Sequence, residues 1–218
     1  TLLATTSCRE SDEAPMTTPW RCALIGSESL LIQCAQLLEQ AGHQVVVVVT
    51  ARPSIRAWAG ARGIRVLRDA AALVAAQDLR PLDYVFSVTN LAVLPEAVIA
   101  LPTRAAINFH DGPLPEYADL NTPVWALLAG ERQHGISWHL MTAEVDRGDI
   151  LTQRRFDIDE GETALTLNTK CYEAAIDGFE ELIAGLARGD LAGRPQPAPP
   201  THYYGRKDRP AAACALAW

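Results

Sequence analysis

Five consecutive valines, Val45–Val49 within QVVVVVT (44–50), constrain the fold more than any other stretch. β-branched side chains favour extended backbone, and an unbroken apolar run needs cover on both faces. Such a strand belongs to a parallel sheet sandwiched between helices. The flanking sequence supplies both partners. RCALIG (21–26) reads as a short buried strand, and apolar residues at 30, 31, 34, 37 and 38 make one face of a helix stopped by Gly42. A helical stretch near 54–61, a short strand at 64–66 and an alanine-rich helix near 69–77 follow. DYVFSV (83–88) is another buried strand, 95–100 a short helix, and 105–109 the next strand. Strands alternating with helices predict parallel pairing through right-handed crossovers, a Rossmann-like α/β domain.

The pattern then changes. A helix is expected at 123–130, and two strands, GISWHLM (135–141) and ILTQRRFDI (150–158), flank the turn-rich loop TAEVDRGD. A long helix over 164–188 carries Leu167, Cys171, Phe179, Leu182 and Leu186 on its apolar side, with Gly189 as its stop. Residues 1–19 are expected to be linker or added sequence, 20–190 one domain, and the proline-rich 191–218 an extended tail or interdomain linker.

Several function classes recede. The net charge of −7 and pI near 5.2 disfavour a nucleic-acid surface, which is usually basic. No apolar run reaches the ~18 residues of a membrane span, and the first residues hold acids without a basic n-region. The five cysteines show no CxxC or paired spacing, so neither a zinc site nor a disulfide framework is expected, and a reducing cytoplasm suits them. Only Gly26 stands where a dinucleotide fold carries GxGxxG, which disfavours such a cofactor. His134 and His139, five apart, are expected on opposite faces of a strand and structural rather than metal-binding.

The stretch INFHDGPLPEY (107–117) is chemically the most suggestive. Residues i and i+2 of a strand share a face, so Asn108 and His110 project together if the strand reaches 110. They sit at a strand's carboxyl end, where open α/β sheets place their ligand crevices. An amide offers fixed donors; an imidazole donates, accepts or carries charge. Together they could hold a developing oxyanion, or merely cap a loop. VDRGDI (145–150) places Asp146 and Asp149 around a glycine. Both could be turn residues, but Asp146 gains meaning if folding brings it to His110.

On these residues the chain resembles the N-terminal formyltransferase domain family, whose members use 10-formyltetrahydrofolate. The likeness rests on Asn108-Phe-His110, LPEY at 114–117 and Asp146-Arg-Gly-Asp149, and runs from about 20 to 190. It implies a Rossmann-like formyltransferase fold, mostly parallel and flanked by helices. It also implies Asn108 and His110 beside the formyl oxygen, and Asp146 pairing with His110 to relay protons. By family position the pterin edge would meet Asn90, Leu91, Val93, His139, Leu140, Glu144 and Val145, and no metal is required. The chain departs from the common Pro-Ser-Leu-Leu-Pro after the histidine, carrying Asp111-Gly112-Pro113-Leu114-Pro115 instead. With NTPVWALLAGE, TALTLNTKCYEA and a tail like RPAAACALAW, this variant looks most like formyltransferase domains built into nonribosomal peptide synthetases.

That resemblance implies an amino acid tethered to a peptidyl carrier protein as acceptor, with the carrier's phosphopantetheine arm and a neighbouring adenylation domain as partners. A sugar nucleotide, a free amine, water, or an inactive binding role remain alternatives. The chain ends at Trp218 as though cut from a longer polypeptide. Six arginines (52, 56, 62, 65, 68, 80) against two acids in 51–80 suggest a basic face for an acidic carrier, or simply a solvated surface.

Overall fold

The structure, a computed structural model, describes residues 18–196, 202–205 and 208. The expected linker over 1–19 lies almost wholly outside the described residues, as do the rest of the tail, Cys8 and Cys214.

The valine run becomes β2 (Gln44–Val49), flanked in the sheet by β1 (Arg21–Gly26) and β3 (Arg65–Leu67). Helices α1 (Leu30–Gln40), α2 (Pro53–Ala61) and α3 (Ala70–Ala75) make the crossovers. β4 (Leu82–Val88), the short α4 (Glu96–Ile99) and β5 (Pro102–His110) follow. Next come β6 (Tyr117–Asp119), α5 (Thr122–Ala129), β7 (Gln133–Leu140), β8 (Ile150–Asp157), α6 (Ala164–Arg188) and β9 (His202–Tyr204). The seven-stranded sheet runs β3-β2-β1-β4-β5-β7-β8; β7 pairs antiparallel with both β5 and β8, and the other pairs are parallel. The architecture is the Rossmann-like, mostly parallel sheet flanked by helices that the strand–helix alternation predicts.

The longest helix is specified at both ends. Thr163 and Thr166 form a reciprocal capping box, and Gly189 ends it in the left-handed conformation. Its apolar stripe lies over β7 and β8, and the buried Trp138 indole of β7 donates to the Ala175 carbonyl at 3.1 Å. Phe179 stands between Phe86 (centroids 5.1 Å) and Trp138 (4.8 Å), joining helix to sheet. Phe179→Ala is therefore expected to lower unfolding free energy by ~3–5 kcal/mol, read from the urea midpoint at unchanged m. Cys22, Cys34 and Cys171 are buried thiols, and burial, with help from Asp83, pushes Cys22 up to about 12. Among the described residues no helix is long and apolar enough to cross a membrane.

The tail departs from expectation. Rather than merely running over the surface, its described part pairs with the domain. Arg194 and Ile150 exchange backbone hydrogen bonds (2.8 and 2.9 Å), and β9 adds to β6 as a small parallel sheet. Proline leaves every other residue's N–H available, so a proline-rich segment can still pair where those residues face a partner.

Candidate active site

β5 persists to His110, so Asn108 and His110 both reach a cleft of about 450 Å3 at its carboxyl end. The His110 ring is buried and held on two sides. Its Nε2–H donates to the Tyr117 carbonyl (2.9 Å), and Nδ1 lies 3.5 Å from Asp146 Oδ2 and 4.0 Å from Asp111 Oδ1. The loop that bends away from His110 is stitched to β7. Ser137 Oγ donates to the Gly112 carbonyl (2.9 Å) and accepts from Leu114 N–H (3.0 Å), while Thr122 Oγ1 donates to the Asp111 carbonyl. A β-carbon at Gly112 would lie 2.7 Å from His110 Nε2 and 2.9 Å from the Tyr117 carbonyl, so only glycine lets this loop close on the ring.

Asp146 enters from the loop between β7 and β8. It sits at φ +54°, in the left-handed region that aspartate tolerates better than most residues. Its Oδ2 accepts from Asp119 N–H at 2.9 Å, and its Oδ1 lies 3.4 Å from His139 Nε2. Burial is the largest single influence on this carboxyl and would raise it. The charge on His110, the hydrogen bond and charge of His139 and the Asp119 N–H together outweigh burial and hold it well below the usual carboxylate range. Two residues on, a β-carbon at Gly148 would fall 1.8 Å from the Leu140 carbonyl, so the loop can close against β7 only through glycine. Asp149 takes no part: its side chain lies against Gly193, outside the cleft.

His139 completes the set. Its Nδ1–H donates to the Leu140 carbonyl (2.8 Å), leaving Nε2 to accept from Asn108 Nδ2 (3.1 Å) or, when protonated, to face Asp146. An amide, two imidazoles and a carboxylate thus converge from β5, β7 and one loop. The arrangement can stabilise charge building on a bound carbonyl oxygen and move a proton alongside it. Among the described residues no group of three or more His, Cys, Asp or Glu side chains is placed to hold a metal ion.

The sequence profile of the formyl transferase family matches residues 33–183. The chain belongs to the formyl transferase family. It is 31% identical over 188 residues to a methionyl-tRNA formyltransferase of Anaeromyxobacter dehalogenans, covering 78% of this chain and 60% of the relative. It therefore spans about three fifths of that relative's length. Its fold is that of glycinamide ribonucleotide transformylase 1 from Symbiobacterium toebii (TM-score 0.72, 21% identity, 82% of this chain and 92% of that one). It is also that of HypX from Aquifex aeolicus, solved with tetrahydrofolic acid (TM-score 0.69, 19% identity, 88% of this chain and 30% of that one).

In this member of the family, six of the seven residues expected at the pterin edge line the cleft: Asn90, Leu91, Val93, His139, Glu144 and Val145. Leu140 does not. Strand alternation sends His139 into the cleft and turns the Leu140 side chain to the main core. His139, expected at the pterin edge and not as a metal ligand, also touches both Asn108 and Asp146 with its ring. Antiparallel pairing sets Asn108 opposite His139, a register no local pattern reveals. His134 does have a structural place, its Nε2–H donating to the Asp111 carbonyl at 2.8 Å, and burial lowers its pKa. Sequence reasoning missed the far wall of the cleft, where Ser27, Glu28, Asn168 and Tyr172 come from the loop after β1 and from α6.

Proposed function

We propose that this formyl transferase moves the formyl group of 10-formyltetrahydrofolate onto the amino group of an aminoacyl thioester carried on the phosphopantetheine arm of a peptidyl carrier protein. The family supports the donor, and HypX, a relative by fold, was solved with tetrahydrofolic acid. The observation that carries the acceptor class is the charge of the cleft. Glu28, Asp111, Asp119, Glu144 and Asp146 line it, and no lysine or arginine does so among the described residues; Arg52 and Arg147 pair with Glu28 and Glu144 from outside the cleft, so its acidic excess rests on Asp111, Asp119 and Asp146. Such a field draws in a cationic amine and repels phosphate or a free carboxylate. A free amino acid brings a carboxylate within two bonds of its amine, and a sugar nucleotide brings a diphosphate. A thioester masks the carboxylate and leaves the amine.

The chemistry follows from the site. The acceptor nitrogen bonds to the formyl carbon, whose oxygen becomes an oxyanion. The second N–H of Asn108 is available for that oxygen, with His110, when protonated, as the nearby positive charge. Collapse breaks the bond to the folate nitrogen, which departs protonated. The acceptor, arriving as an ammonium, first gives one proton to solvent to free its lone pair. The second proton it loses on bonding is the one that the folate nitrogen gains, so the step balances, and Asp146 with His110 and His139 can carry that second proton between them. The arginine patch adds nothing to this reading. Arg52, Arg62 and Arg65 pair with Glu28, Glu39 and Asp78, so their charge is balanced within the chain.

The test measures tetrahydrofolate release from 10-formyltetrahydrofolate with an aminoacyl-pantetheine thioester, the same free amino acid, a nucleotide-linked amino sugar, or no amine. The thioester is expected to exceed the free amino acid by at least ~100-fold in kcat/KM. Preference for the amino sugar would reassign the acceptor, release without amine would make the protein a deformylase, and no turnover with any acceptor would leave a binding domain.

A further inference from the structure

Asp146 adopts its left-handed conformation in the loop between β7 and β8, and beside the Asp119 N–H and the Gly148 closure, part of what holds it there lies beyond the span that matches the family. Gln196 reaches across from the chain after α6. Both hydrogens of its Nε2 are used on this loop, one on the Asp146 carbonyl (2.9 Å) and one on the Gly148 carbonyl (2.7 Å). Its Oε1 is buried without a hydrogen-bond partner. Turning the amide over would point that oxygen at two carbonyls, so the position requires two donors, even with one acceptor left unmatched.

The same segment grips the other side of the site. Arg194 exchanges backbone bonds with Ile150, and its Nη2 donates to Gln153 Oε1 (3.2 Å). Gln153 Nε2 in turn donates to the Leu114 carbonyl (2.7 Å), within the loop that closes on His110, and to Ser137 Oγ of β7 (3.0 Å), which stitches that loop to the sheet. Gly193 packs against Asp149, where a β-carbon would come within 2.8 Å. Gln196 and Gly193 thus touch the loop that carries Asp146, while Arg194 grips β8 and reaches the loop that caps His110 through Gln153.

We infer that residues 193–196 form a strap that positions Asp146 for formyl transfer, with Gln196 as the positioning residue. The inference rests on the reading of Asp146 given above. Held by two bonds from outside, the carboxylate stays between His110 and His139; released, the left-handed residue relaxes and its carboxylate leaves them.

Gln196→Met keeps side-chain length and removes both donors. Three comparisons with the wild-type full chain decide the matter: amide hydrogen exchange across 144–149, the imidazole 15N signals of His110 and His139, and kcat against KM with the aminoacyl-pantetheine probe. Exchange over 144–149 should quicken about tenfold while the central strands stay protected. Both imidazole signals should move, and kcat should fall about tenfold or more with the KM for 10-formyltetrahydrofolate within about twofold. Unchanged exchange, unchanged imidazole signals or unchanged kcat would each overturn the strap. So would losses that track exchange across the whole sheet, since those mark general destabilisation. If Q196M does not fold, Q196N, which keeps the amide one methylene short, carries the same comparison. A wild type inert toward the probe would count against the acceptor proposed above, and exchange and imidazole signals, read without substrate, would still decide on Gln196.

Discussion

Alanine at Asn108 or at His110 is expected to lower turnover at least ~100-fold while folding and folate binding persist, because each removes a preorganised group beside the reacting carbonyl. The two losses differ in origin. Asn108 is half-exposed at the cleft and offers the amide hydrogen that His139 does not use, so its removal deletes a donor. His110 is buried with Nε2–H on the Tyr117 carbonyl, so its removal deletes an imidazole beside Asp146 and leaves that carboxylate buried with one imidazole instead of two. Turnover measured as tetrahydrofolate release, beside calorimetric folate binding, separates chemistry from occupancy. Near-normal release from either folded variant would remove that residue from the mechanism.

The second large effect belongs to Asp146. Asp146→Asn preserves shape and deletes the charge that both imidazoles face, and a loss of ~100–10,000-fold in kcat is expected, with folate binding changed far less. Asp149→Asn should stay close to wild type, because that side chain is outside the cleft. The reverse ranking would make Asp149 the working carboxylate. A stability signature accompanies the activity. The folded-state pKa of Asp146 is depressed, so the stability it contributes is present above its unfolded value and is lost as pH falls below that value. Asp146→Asn lacks this component, so its unfolding free energy should decline less steeply on acidification, measured by urea titration between neutral pH and the acid limb.

Much of this was legible locally. The valine run and the alternation of apolar strands with amphipathic helices depend on periodicities of 2 and 3.6 residues, which are properties of neighbours in the chain. The same period of two places Asn108 and His110 together, and glycine after the last long helix marks its end. Asn108, His110 and Asp146 were singled out through their spacing and the family resemblance, without knowledge of what would surround them.

The rest depended on contacts between residues distant in sequence. That Asp146 and not Asp149 meets His110 is decided by a left-handed turn whose closure needs Gly148 against Leu140. That His139 joins Asn108 follows from the antiparallel register of β5 and β7, and the same alternation turns Leu140 to the core. The tail looked like a linker because proline-rich segments carry little local preference for pairing, yet folding sets Gln196 on the carbonyl of Asp146, fifty residues away. The arginines of 51–80 could be read either as a solvated surface or as a basic face, and the sequence does not show that Glu28, Glu39 and Asp78 fold beside three of them. Local periodicity determines which face a side chain takes; strand register, loop closure and ion pairing are long-range choices, and only the assembled sheet makes them.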